Sequence, residues 1–253
     1  MHKNFYKKTL IISPHSDDEI FALPFIYSLD NAFESIDLLL VEGDLKRYEE
    51  AKLSAKMHKF NLLIMPSEYN LKGLEFHKKI PLLVSYLKKI WNSYDLVLSP
   101  LIEGGHQDHD SISAALLLSK EKVSTKSKVI FYATYSNFKF FPILYTCRVS
   151  KRKFSKYIFR VNFERKKLII LYLRTIYFCY KSQWKSWILL FPFIVVRFIN
   201  SDIRNFVVAD QFNFDDIYWI ASKKPLYEIY RGLSFKKWLT FFEEFNNKLK
   251  IKK

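Results

Sequence analysis

Glycine and cysteine are scarce in this chain, and their scarcity argues against two broad classes of protein. Only five glycines and two cysteines occur among 253 residues. The first apolar segment, Leu10 to Ser13, is not followed by the GxGxxG loop that holds a dinucleotide, which disfavours a nicotinamide or flavin enzyme. Cys147 and Cys179 form neither a CxxC pair nor a disulfide framework, so we expect a protein of the reducing cytoplasm.

Long hydrophobic runs are also missing. The polar segment Met1 to Lys8 has no apolar h-region, and we therefore expect no export signal. Two apolar stretches, Leu168 to Tyr180 and Trp187 to Ile199, are shorter than the roughly 20 residues that span a bilayer. Each carries an arginine. We interpret them as helices packed on the rest of the fold, and an in-plane contact with an anionic membrane remains an open alternative.

Acidic residues are outnumbered by basic ones. The chain has 41 Lys and Arg against 25 Asp and Glu, a net charge of +16. This excess favours an anionic partner, such as nucleic acid, a phosphorylated substrate or an acidic membrane surface, but a solvated lysine-rich surface explains it equally well. The basic stretch Arg148 to Lys156 is a candidate for contact with phosphate. Because the sequence contains no nucleic-acid-binding motif, we do not expect a nucleic-acid partner.

The first half of the chain alternates short apolar runs with amphipathic segments, which is typical of a parallel sheet with crossover helices. Five strands are predicted at Leu10 to Ser13, Ile36 to Val41, Asn61 to Met65, Asp95 to Ser99 and Lys128 to Tyr132. Helices are predicted over Asp44 to Phe60, His77 to Trp91 and Asp110 to Ser119, the last with Asp110 as its N-cap. We therefore predict one α/β domain over residues 1 to 253. It has a Rossmann-like, mostly parallel sheet flanked by helices, and a helical, basic C-terminal part from about residue 138 packs on it.

Two polar clusters stand at the ends of predicted strands. Pro14 to Glu19 (PHSDDE) follows the first strand, and Gly104 to Asp110 (GGHQDHD) follows the fourth. Ligands of an open parallel sheet collect at the carboxyl ends of its strands, so we expect both clusters on loops at one edge. Carboxylates and imidazoles without thiolates suit a catalytic Zn²⁺ with an open position, although Fe²⁺ or Mn²⁺ suits the same donors. Either cluster alone could simply cap a helix, but their joint occurrence favours a hydrolytic metal site.

The two clusters also resemble the motifs of a known family. PHSDDE resembles the (A/P)HPDDE motif, and the HQDH of His106 to His109 resembles the HxDH motif, of the LmbE-like or PIG-L family of zinc-dependent N-deacetylases. The resemblance covers about Lys8 to Tyr135, with Ser16 in place of the usual proline. Further along, Tyr180 to Gln183 is similar to a Tyr-x-Ser-Gln stretch often seen in the family.

The resemblance implies a role for each polar residue of the two motifs. His15, Asp18 and His109 would be the metal ligands, with one metal ion per chain. Asp17 would act as the general base that takes a proton from the attacking water. His106 would stabilise the oxyanion and protonate the leaving amine.

Two further residues, Asp108 and Arg47, are expected to contribute to the site. Asp108 would hold a histidine in its working tautomer, and we expect that histidine to be His106. The family often has an arginine near position 47, so Arg47 is the candidate for contact with the substrate. An ion pair between Arg47 and Glu50, three residues apart on a helix, is the plainer interpretation.

The expected function is the removal of an N-acetyl or other N-acyl group from an amino sugar or sugar conjugate, in the synthesis of surface polysaccharide or glycoconjugates. The basic second half favours a phosphorylated or lipid-linked substrate. Two alternatives remain open within the same chemistry: a small thiol-pathway glycoside and a glycosylated natural product. A basic nucleic-acid-binding protein is a third alternative, but it leaves both clusters unexplained.

Overall fold

The computed structural model describes residues 6–29, 32–42, 44–120, 127–134, 158–159, 164–199, 206–208 and 233–251. Within these ranges the chain forms one sheet of seven strands. The strands are β1 (Tyr6–Ser13), β2 (Phe33–Leu40), β3 (Asn61–Ile64), β4 (Leu96–Pro100), β5 (Lys128–Tyr132), β6 (Ile158–Phe159) and β7 (Phe206–Val208). The basic stretch Arg148 to Lys156 and Cys147 lie outside the described residues.

The five predicted strands make up the parallel part of the sheet. The strand order is β3-β2-β1-β4-β5-β7-β6, and β1 to β5 all pair in parallel. The predicted mostly parallel α/β sheet is therefore confirmed. Strands β6 and β7 add an antiparallel edge that the sequence did not predict. They are two and three residues long, too short for an alternating pattern to be recognised. That the whole chain is one domain stays a prediction.

Seven α-helices flank the sheet in the described part of the chain. They are α1 (Leu23–Ser28), α2 (Leu45–His58), α3 (Ile80–Ile90), α4 (Gln107–Lys120), α5 (Arg165–Cys179), α6 (Trp184–Ile199) and α7 (Phe235–Ile251). Helix α2 begins where predicted, because the Asp44 carboxylate accepts the backbone N–H groups of Lys46 and Arg47 at 2.8 and 3.2 Å. The two apolar stretches of the second half form α5 and α6, as interpreted. None of the described helices is long and apolar enough to cross a membrane.

The start of α4 differs from its prediction. The helix begins at Gln107, three residues before the predicted cap at Asp110. The Asp110 carboxylate instead accepts the backbone N–H groups of Glu103 and Gly104, at 3.0 and 3.1 Å. It therefore stabilises the turn that leads from β4 into the helix, and the prediction that Asp110 caps α4 is wrong.

The sheet is covered on both faces. In β1, Leu10 and Ile12 face the layer of α3, α4 and α7, whereas Ile11 between them faces the layer of α2, α5 and α6. A strand buried on both faces has no polar side, which explains its continuous apolar sequence.

The order of the strands places both polar clusters together. Strands β2 and β3 lie on one side of β1, and β4 and β5 lie on the other. The winding direction thus reverses between β1 and β4, and a crevice opens there at the carboxyl ends of the strands. Pro14 to Glu19 follows β1 and Gly104 to Asp110 lies between β4 and the first turn of α4, so both clusters meet at this crevice.

Candidate metal centre

Both clusters run into helical turns, which corrects the expectation that they lie on loops. Asp18 begins a short 3-10 helix, Asp18–Ala22. The second cluster enters the first turn of α4, where the Asp110 N–H donates to the His106 carbonyl at 3.1 Å. His15 is 8%, Asp18 1% and His109 1% exposed. The turns therefore hold buried polar side chains in place.

One carboxylate and three imidazoles converge in this buried space. Asp18 Oδ2 lies 3.1 Å from His15 Nδ1 and 3.0 Å from His109 Nε2. The His106 ring centroid is 4.8 Å from those of both His15 and His109. One nitrogen from each histidine falls within 4.8 Å of the others. The structure thus brings together His15, Asp18, His106 and His109, four of the residues that the two motifs single out.

Asp108 contacts a different histidine from the one expected. Its Oδ2 lies 3.1 Å from His15 Nε2, and its carboxylate accepts the backbone N–H groups of Leu74 and Phe76 at 2.6 and 3.2 Å. The backbone N–H of Asp108 donates to His106 Nδ1 at 3.2 Å. The expected pairing of the Asp108 side chain with His106 is therefore wrong, because the loop before α3 holds the carboxylate next to His15.

The electrostatics of the cluster favour a positive charge among these groups. Burial acts to lower the pKa of His15, but hydrogen bonds to the Asp108 and Asp18 carboxylates outweigh it and raise the pKa to about 10. Burial acts to raise the pKa of Asp18, yet the His109 and His15 imidazoles hold it well below its usual range. A divalent cation would supply the same positive charge.

The donor atoms fit a divalent metal ion. A tetrahedral ion with bonds of about 2.0 Å sets its ligand atoms about 3.3 Å apart, and the contacts of Asp18 Oδ2 with His15 and His109 are 3.1 and 3.0 Å. The other ring nitrogen of each histidine also has a partner, as is usual for metal ligands: Asp108 for His15, and Thr134 Oγ1 at 3.0 Å for His109. Imidazole and carboxylate donors without thiolate suit Zn²⁺, Fe²⁺ or Mn²⁺.

Asp17 lies beside the cluster and is held by a residue that the sequence gave no reason to single out. Its Oδ2 accepts the indole N–H of Trp187 at 3.0 Å. Trp187 belongs to α6 and is 1% exposed. Burial and the neighbouring Asp18 carboxylate raise the pKa of Asp17 well above its usual range, whereas Arg47 acts in the opposite sense.

Glu19 is a second buried carboxylate, held both from α2 and from the C-terminal half. The Ser54 hydroxyl donates to it at 2.6 Å, and the Tyr180 hydroxyl also donates to it. Burial raises the pKa of Glu19. Nearby, Ser182 donates its N–H and hydroxyl to Glu50 at 2.7 and 2.6 Å. The Tyr180 to Gln183 stretch, which the sequence singled out only by its similarity to a family motif, therefore joins α2 and the first cluster.

Arg47 pairs with a different carboxylate from the one considered. Its Nη1 lies 3.2 Å from Glu42 Oε2, whereas Glu50 accepts the hydrogen bonds of Ser182. The interpretation of Arg47 and Glu50 as an ion pair is therefore wrong. Glu42 also lines a cavity of about 780 Å³ at the carboxyl ends of β2 and β3, together with Tyr48, Asn70 and Lys72.

The comparisons with known proteins bear on the fold. No protein-family model matches the sequence, and no curated protein matches it. Among solved structures, the zinc-inhibited form of teicoplanin deacetylase Orf2 superposes with a TM-score of 0.51 at 13% identity, over 81% of this chain and 100% of that one. N,N'-diacetylchitobiose deacetylase from Pyrococcus horikoshii, in complex with an inhibitor, gives a TM-score of 0.50 at 16% identity, over 80% and 82%. The chain thus shares the overall fold of these two deacetylases.

Proposed function

We propose that this protein is a metal-dependent N-deacetylase that removes an acyl group from an N-acylated amino sugar or sugar conjugate. The observation that carries the proposal is the position of Asp18 Oδ2, within 3.1 Å of both His15 Nδ1 and His109 Nε2, with Asp17 as the adjacent residue. The fold shared with two deacetylases supports the same class of reaction. The reaction is hydrolysis of a linear amide.

In this proposal His15, Asp18 and His109 hold one Zn²⁺ ion, and Fe²⁺ or Mn²⁺ would fit the same donors. The bound metal lowers the pKa of water and polarises the amide carbonyl. Asp108 and Thr134 fix the orientation of the two histidines through the ring nitrogens that do not contact Asp18. We therefore assign Asp108 to positioning a metal ligand.

Asp17 and His106 carry the proton transfers in this mechanism. Asp17 accepts a proton from the water that attacks the amide carbon. His106 stabilises the negative charge that develops on the carbonyl oxygen and delivers a proton to the nitrogen as the C–N bond breaks. The products are acetate, or the corresponding acid, and a free amine. The close approach of His106 to the other two imidazoles also allows a rival assignment, in which His106 is itself a ligand.

The substrate is assigned to the side of the site that faces Arg47. Arg47 pairs with Glu42, which lines the cavity, and its charge also acts on Asp17. Charged and hydroxyl-bearing side chains with one aromatic ring suit the hydroxyl groups of a sugar. We propose surface polysaccharide or glycoconjugate synthesis in the cytoplasm as the setting.

Metal analysis and acetate release test the proposal together. Purified protein should hold about one zinc per chain and release acetate from N-acetyl sugars, nucleotide sugars or lipid-linked sugars. Asp17→Asn should keep the metal and lose about 10²-fold or more in kcat, whereas His109→Ala should lose metal and activity together. His77→Ala is the matched control, because His77 is equally buried and lies outside the cluster. Full metal retention in His109→Ala would overturn the ligand assignment, and unchanged turnover in Asp17→Asn would remove the base.

A further inference from the structure

Helices α5 and α6 form a hairpin with two dissimilar faces. The inner face is buried against the sheet and α2, through Leu168, Tyr172 and Trp187 among others. The outer face carries large apolar side chains that are exposed: Ile170, Leu173, Tyr177, Phe178, Trp184, Ile188, Leu189 and Val196. We call these eight residues the outer apolar face.

This surface is unusual for the molecule as a whole. Among the described residues, thirteen large hydrophobic side chains are exposed, and eight of them belong to the outer apolar face. Tyr177 is 68% and Leu189 61% exposed. Their spacing, mostly three or four residues along each helix, aligns them on one side of that helix. Scattered exposed apolar residues are ordinary, but such a concentration on two helices in contact marks a surface that contacts something else.

The charge of the hairpin identifies the kind of partner. Residues 165–199 contain seven lysines and arginines and no aspartate or glutamate. Lys181 and Lys185 are exposed next to Trp184, and Arg174 is exposed on α5 between Leu173 and the aromatic pair at the end of that helix. Exposed aromatic and aliphatic side chains surrounded by cations suit the interface of a bilayer that contains anionic lipid.

We propose that the outer apolar face of α5 and α6 docks in the plane of an anionic membrane surface. The helices lie on the bilayer and do not cross it. Their inner face supplies Trp187 to Asp17 and Tyr180 to Glu19. Docking therefore places these carboxylates about one helix diameter, on the order of 10 Å, from the lipid surface. A site so close to lipid suits an N-acylated sugar that is carried on a lipid, and this inference about the substrate rests on the proposed function.

Vesicle sedimentation of the full-length protein tests the docking surface without any substrate. The wild type should sediment with vesicles of equal parts phosphatidylcholine and phosphatidylglycerol. The triple variant Trp184→Ser, Ile188→Ser and Leu189→Ser should bind these vesicles on the order of 1,000-fold more weakly, since each apolar side chain that leaves water contributes about tenfold. Its matched control, Leu45→Ser, Leu53→Ser and Leu82→Ser, removes exposed apolar side chains from other helices and should bind as the wild type does.

The charges are tested separately. Lys181→Gln with Lys185→Gln should weaken binding to the anionic vesicles by about 30-fold, at about fivefold for each cation that approaches the surface. Lys52→Gln with Lys56→Gln, on the exposed side of α2, should leave binding unchanged. Circular dichroism and metal content verify that each variant is folded.

Three results would overturn the docking proposal. The first is a wild type that stays in the supernatant with anionic vesicles. The second is an outer-face triple variant that binds like its control. The third is a wild-type dimer that this triple variant converts to a monomer, because the face would then join two copies of the chain. Binding without deacetylase activity would instead refute only the proposed function.

Discussion

Replacing Trp187 with phenylalanine tests whether α6 holds the proposed general base. The indole N–H donates to Asp17 Oδ2 at 3.0 Å, and the ring packs against Phe21 with 5.8 Å between ring centroids. Phenylalanine keeps an aromatic ring in this place and removes the donor. The Asp17 carboxylate then loses the partner that holds its Oδ2, so fewer molecules present the oxygen correctly to the attacking water.

The expected effect follows from the strength of the lost hydrogen bond. A hydrogen bond to a charged group contributes about 1.5–3 kcal/mol. If the whole of that energy serves to orient Asp17 in the transition state, kcat falls by about 10- to 150-fold. KM should change little, because the substrate contacts proposed for Arg47 lie elsewhere. Metal content should also stay the same, since Trp187 does not contact any of the proposed ligands.

Steady-state kinetics and metal analysis of Trp187→Phe measure this effect, and Trp238→Phe is its matched control. Trp238 is as deeply buried, and its indole N–H also donates at 3.0 Å, but to the Ser111 hydroxyl beneath α7. Both variants should lose similar stability, and only Trp187→Phe should lose kcat. Equal kcat values in the two variants would show that Trp187 merely fills space. Loss of metal from Trp187→Phe would show that it acts on the metal ligands.

Three further predictions concern buried polar groups. His106→Ala should keep its metal and lose about 10²-fold in kcat with little change in KM, and metal analysis that found the ion gone would make His106 a ligand. The free energy of unfolding of Glu19→Gln, measured in urea, should lie within about 1 kcal/mol of the wild-type value, because an amide oxygen can accept the same two hydroxyl hydrogen bonds. Glu19→Ala should lose on the order of 2 kcal/mol or more. Equal losses in the two variants would mean that the negative charge itself is needed. His58 lies between the hydroxyls of Tyr27 and Thr175, and burial lowers its pKa from 6.5 to about 4. The unfolded chain therefore binds a proton that the folded protein does not, and the free energy of unfolding should fall by about 3 kcal/mol between pH 6.5 and 4. His58→Gln should be less stable at neutral pH but should lack this part of the acid loss, and identical pH profiles in the two proteins would contradict the reasoning.

The parallel part of the sheet could be predicted because each of its strands can be recognised from residues that are adjacent in the sequence. Each of its strands is a short apolar run followed by a polar segment, and the Asp44 N-cap marks the start of α2. The two metal-site clusters could be predicted for a related reason. They follow β1 and β4, and the reversal of winding between neighbouring strands brings the ends of those strands together.

The partners of the cluster residues could not be predicted from such patterns. Trp187 donates to a carboxylate 170 positions away in the chain, and Tyr180 to one 161 positions away. Each stands in or next to an apolar stretch where a core residue is the ordinary interpretation. Asp108 shows the same limit at short range. Sequence proximity favoured His106 as its partner, but the backbone N–H groups of Leu74 and Phe76 draw its carboxylate to His15.

These long-range contacts make the C-terminal part a support for the side chains of the site. The proposed metal ligands all precede α5, so the two motifs alone would assign the later helices to packing. However, Asp17 and Glu19 are buried carboxylates, and burial of such groups is costly unless hydrogen bonds compensate for it. Trp187 and Tyr180 supply those bonds from the hairpin. A shift of α5 and α6 would therefore break hydrogen bonds to the proposed base and to Glu19, even if every metal ligand stayed in place. The same two helices carry the outer apolar face, so a membrane that binds there acts on the elements that hold Asp17.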